Sequence, residues 1–79
     1  NPMTTLSFDL PQSASVSLRV FDAAGRLVRT LHEGRMAAGQ HEMAWDGTSD
    51  AGTRVASGVY LVRMVSGDFE QSHRMVLIK

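Results

Sequence analysis

A chain of 79 residues is one domain near the lower limit for burying a core, too small for a catalytic cleft of ordinary size. With no cysteine it has neither a disulfide framework nor a thiolate zinc site, so redox usage does not reveal its compartment. Eight bases, seven of them Arg, balance eight acids to a formal charge of +0, and their interspersion excludes the one-sided basic field that binds nucleic acid or anionic lipid.

No apolar run approaches a membrane span, so no membrane insertion is expected. Alternation of period two runs through the chain, and no apolar stripe at helical spacing lasts beyond a turn, which predicts strands almost throughout. The first covers Thr4–Leu10, with Leu6, Phe8 and Leu10 on one face, and Pro11 ends it. The second covers Ser15–Asp22, with Val16, Leu18 and Val20 on one face and Ser17 and Arg19 opposite. The Asp22-Ala23-Ala24-Gly25 sequence predicts a type I turn with Gly25 at a bulge, closing a hairpin onto a third strand at Arg26–Leu31. Apolar residues on both faces of that strand predict a central position.

His32–Gly39 reads as a connection that crosses between two sheets. Gln40–Trp45 returns to alternation, with His41, Met43 and Trp45 on one side. The turn-rich Asp46–Gly52 follows, and Arg54-Val55 is at most a short edge strand. Val59–Val65 places Tyr60, Val62 and Met64 opposite Val59, Leu61 and Arg63. Ser66-Gly67-Asp68 turns the chain into a last strand, Phe69–Lys79, whose Met75–Ile78 end reads as buried on both faces. The sum is an all-β, immunoglobulin-like antiparallel β-sandwich of about seven strands, with residues 1–79 as a single domain.

Asn1-Pro2, then Leu6-Ser7-Phe8-Asp9-Leu10-Pro11, Val16–Asp22, Gly25–Leu31, Trp45-Asp46-Gly47, Gly52, Ser57-Gly58-Val59-Tyr60 and Arg74–Lys79 stand in an order that resembles the immunoglobulin-like domain named for the flagellar hook-capping protein. Similar domains end many exported bacterial hydrolases and overlap with the C-terminal sorting domains of type IX secretion. That second branch implies a non-catalytic C-terminal domain of a larger exported protein. Its terminal strand, Arg74, Met75, Val76, Leu77, Ile78 and Lys79, would be read by secretion machinery of the outer membrane, and the parent would pass through the periplasm to be secreted or held at the cell surface. The expected partners are that machinery and the upstream domains of the parent, with the isolated domain a monomer. The alternatives are a structural assembly module of hook-cap type and a carbohydrate-binding accessory module of a secreted hydrolase.

The remaining candidates each compete with a plain structural role. Asp46, Thr48, Asp50 and Gly52 begin like a calcium loop, but the bidentate Glu is absent, Ser57 standing in its place, and turn formation explains the same residues. His32, His41 and His73 have no metal-ligand spacing, and no nucleophile elbow accompanies them, so neither a metal site, another cofactor nor an enzyme is expected. Phe21 is the candidate for sugar stacking, because it lies out of phase with Val16, Leu18 and Val20. Phe69 is a lesser candidate, while Trp45 and Tyr60 alternate in phase with apolar neighbours and read, with Leu18 and Val20, as core.

Overall fold

The computed structural model describes residues 4–78. Six strands form two antiparallel sheets: β1 (Thr4–Leu10), β2 (Ala14–Asp22), β3 (Leu27–Met36), β4 (Gly39–Trp45), β5 (Gly58–Ser66) and β6 (Phe69–Leu77). The larger sheet has the order β3-β2-β5-β6, and β1 pairs with β4 in the smaller one. Alternation explains the layering: Val16, Leu18 and Val20 of β2 and Tyr60, Val62 and Met64 of β5 point into one core, with Leu10 and Trp45 from the facing sheet. At about 25 cal/mol per Å² of apolar surface, this shared layer is what holds the two sheets together.

The β2–β3 hairpin forms at the predicted turn. Gly25 has φ 86°, a conformation that costs a residue with a Cβ about 1–2 kcal/mol. The Gly25 amide donates to the Asp22 carbonyl at 2.9 Å, and the Ala24 and Arg26 amides donate to Asp22 Oδ1 at 3.0 and 2.9 Å.

Four expectations are corrected. β3 runs on to Met36, so only Ala37 and Ala38 carry the chain between sheets. It is an edge strand and not a central one; its register slips against β2 at Leu18/Arg19 and at Val20/Phe21. Each slip inserts an extra residue, and these are Leu31 and Val28, both packed against the core although their sequence parity is opposite. Arg54-Val55 forms no strand, only the isolated bridge Thr48↔Arg54, which leaves six strands among the described residues. Finally, β6 is the other edge and is buried on one face: Met75 and Leu77 are in the core, whereas Val76 is 56% and Ile78 76% exposed. Lys79 lies outside the described residues.

Candidate functional site

The 46–57 loop, richest in candidate ligands, is a folded turn. Trp45 is 1% exposed, meets Tyr60 edge-on at 5.1 Å, and donates its indole N–H to the Thr48 carbonyl at 2.8 Å. Tyr60 donates its hydroxyl to the Ala56 carbonyl at 2.6 Å. The two aromatics therefore fix both ends of the loop. Gly47 has φ 81°, and a Cβ there would lie 3.3 Å from Leu77 Cδ2, so the turn sits directly on the β6 side of the core.

The oxygens of the partial calcium pattern have other work. Asp46 Oδ1 accepts from the Thr48 amide and hydroxyl at 3.1 and 2.6 Å. The hydroxyl bond, joined by the amide, holds the Asp46 carboxyl below its ordinary value of 3.8. Thr48 Oγ1 accepts from Arg29 Nη1 at 2.7 Å, and Asp50 Oδ1 accepts from the Thr30 amide at 3.0 Å. The Asp50 amide donates to the Val28 carbonyl at 3.0 Å. The loop thus caps the free edge of β3, a clamp that spacing along the chain gave no means of seeing.

The three histidines lie on three strands: His32 on β3, His41 on β4 and His73 on β6. His32 donates to the Gly34 carbonyl at 3.2 Å; His41 donates to the Ala37 carbonyl at 2.7 Å and stacks on Phe8 at 5.5 Å. Among the described residues no group of three or more His, Asp or Glu side chains comes together around a metal-sized space. Phe21 faces outward from β2, with the Arg63 guanidinium carbon 5.1 Å from its ring centroid. Phe69 begins β6, at the far end of the sheet from Trp45 and Tyr60.

What the structure does assemble is a set of apolar residues at one end of the outer face of the four-stranded sheet. The register places Leu27, Phe21, Leu61 and Arg74 in one row across β3, β2, β5 and β6. At about 4.8 Å between strands that row spans about 14 Å. Val59 and Val76 are paired in the next outward row. Leu27, Val59, Leu61 and Val76 are each between 37% and 56% exposed. Large contiguous apolar patches mark contact sites, whereas single exposed apolar residues are ordinary. Arginines edge it: Arg63, ion-paired to Glu70 at 3.2 Å, and exposed Arg74. The signal was present in the sequence as outward-phase Phe21, Leu61 and Val59, but pairing register was needed to bring them side by side.

Two packed antiparallel sheets, with no helix among the described residues, make an immunoglobulin-like sandwich. The FlgD Ig-like domain family matches residues 2–68, and the chain belongs to that family. It is 36% identical over 66 residues to the basal-body rod modification protein FlgD of Salmonella typhimurium, covering 82% of this chain and 28% of that protein. Against the Escherichia coli protein of the same name it is 37% identical over 60 residues, 75% of this chain and 26% of the relative. The chain therefore spans little more than a quarter of the curated relatives it matches.

Two solved structures agree. FlgD from P. aeruginosa superposes with a TM-score of 0.72 at 26% identity, over 95% of this chain and 59% of that one. FlgD from Xanthomonas campestris, described in connection with hook capping essential for flagellar assembly, gives a TM-score of 0.72 at 26% identity, over 96% and 56% of the two chains.

These relatives overturn one branch of the resemblance. They are rod-modification and hook-capping proteins, so the reading of Arg74–Lys79 as a type IX sorting signal is withdrawn. With it go the outer-membrane secretion machinery as partner and retention at the cell surface as destination. Within that strand the buried residues Met75 and Leu77 close the core.

Proposed function

We propose that this chain is a structural assembly domain of a flagellar hook-capping protein, a non-catalytic module that works by protein contact within a longer parent. The observation that carries this reading is the 36% identity over 66 residues to the Salmonella typhimurium protein. The exposed Leu27, Leu61, Val59 and Val76, beside half-buried Phe21, add a surface on which such contact would be made. Recognition there would combine apolar burial at the centre with the Arg63 and Arg74 guanidinium groups at the margin, the arrangement typical of protein interfaces.

The reading is tested by domain exchange. The matching segment of the Salmonella typhimurium FlgD is replaced by this chain, and swimming in soft agar is scored in a strain lacking its own copy. Restored swimming is the expected result. A chimera that is produced at normal level and folded, yet leaves the cells without hooks, would refute the assignment to hook assembly.

A further inference from the structure

The larger sheet has two edges, and they differ. β3 departs from even pairing at two register slips and is capped by the Asp50 loop, devices by which an edge avoids pairing with other chains. β6 has neither. It pairs with β5 over 9 residues without a slip and contains no proline. Among the described residues no strand lies on its other side. Every residue from 69 to 74 is exposed, on both faces of the strand. The unpaired backbone N–H and C=O groups of this edge are therefore open to a further strand.

The side chains of the edge specify which strand. Its two charges are Glu70 and Arg74, with Ser72 midway between them, and the pleat sets both on the outer face. Two identical strands paired antiparallel are related by a two-fold axis, so that every contact between unlike residues occurs twice. With that axis at Ser72, Glu70 of each copy stands opposite Arg74 of the other. Both ion pairs form at once. Gln71 then faces His73, and Phe69, which is 53% exposed, gains Met75 as an apolar neighbour. An axis at His73 would set Glu70 against Val76 and Arg74 against Ser72, matching neither charge. An axis at Gln71 would set Glu70 against Ser72 and Arg74 against Asp68, which lies in the turn outside the strand. Glu70 already meets Arg63 of its own chain at 3.2 Å, but a carboxylate accepts from two guanidinium groups. Arg74 has no ion-pair partner among the described residues.

We propose that two copies of this chain join through β6, antiparallel and centred on Ser72, into one sheet that runs from the β3 of one copy to the β3 of the other. The contact closes at two chains, as a two-fold interface does. The paired stretch, residues 69–75, is short, so association is weak; backbone bonds supply the attraction and the charges fix the register. The proposal does not depend on the hook-assembly reading.

Charge exchange tests it in the 79-residue chain. Sedimentation equilibrium at concentrations up to about 1 mM should resolve a weak monomer–dimer equilibrium. Glu70→Arg alone and Arg74→Glu alone each turn two attractive pairs into two repulsive ones, and each should weaken the dimer at least about tenfold. An equimolar mixture of the two variants sets opposite charges against each other again between unlike chains, and should recover the association of the unsubstituted chain. Each variant is the same molecule alone and in the mixture, so recovery separates the contact from any effect on folding. A strict monomer at the highest concentration would overturn the proposal. So would a dimer that neither single change weakens, or a mixture that associates no better than its components.

Discussion

The two buried aromatics show how single residues fix the end of this sandwich. Tyr60 fills core volume with its ring and reaches the Ala56 carbonyl with its hydroxyl at 2.6 Å. Tyr60→Phe keeps the edge-on contact with Trp45 and removes only that bond, so a loss of about 0.5–1.5 kcal/mol is expected. Urea unfolding checks it: the midpoint should fall while the slope stays constant.

Asp46 gives a residue-scale prediction in pH. Its carboxyl is lowered chiefly by the Thr48 hydroxyl bond, so the folded value lies below 3.8, the ordinary value that applies when unfolded. The associated stability is complete well above pH 3.8 and disappears as pH falls through the folded value. A carbon-13 titration should place the Asp46 midpoint below 3.8, and Thr48→Val should move it back upward. A midpoint at or above 3.8 in the unsubstituted protein would contradict the hydrogen-bond assignment.

Among the elements, β3 departs most from what its sequence suggests. Its alternation places Leu27, Arg29 and Leu31 against Val28 and Thr30, which reads as a strand apolar on both faces. Two register slips reconcile that pattern with an edge, by turning Val28 and Leu31 inward and leaving Leu27 at 51% exposure. Bulges arise from pairing between strands, and no single strand announces them. By contrast β1 was legible to the residue, because Leu6, Phe8 and Leu10 alternate cleanly and Pro11 cannot continue the ladder.

The β2–β3 turn was legible too, through Gly25 and the Asp22 side chain. The edge covering of β3 was not, since Arg29 meets Thr48 and Ser49 only in three dimensions. Arg29→Ala removes a donor shared by both, at 2.7 and 3.1 Å. It should destabilise the fold by about 1–2 kcal/mol and raise amide exchange at Asp50 and Thr30 more than in β5. Equal protection at those amides before and after substitution would show that the loop does not depend on this clamp.

For the whole molecule, alternation and turn chemistry were enough for an all-β sandwich, because each inward row in β2 and β5 is unbroken. The proposed contact surface was harder to see. Phe21 was visible as an outward aromatic, but its neighbours Leu27 and Leu61 come from other strands. The terminal strand misled through its resemblance to sorting domains, whereas its Met75 and Leu77 close the core. Contact through the outer sheet face is the central claim.

The most direct measurement uses the Salmonella typhimurium chimera carrying Leu61→Glu with Val76→Thr. Both positions are outward, Leu61 41% and Val76 56% exposed, and Leu61→Glu lies opposite Arg74, where a cross-strand ion pair supports folding. Stability should stay within about 0.5 kcal/mol of the parent chimera for each change. The prediction is that electron microscopy shows cells with sharply fewer hooks while the protein is made and folded. Hooks in normal number on cells with the double variant would contradict the claim that this face carries the contact.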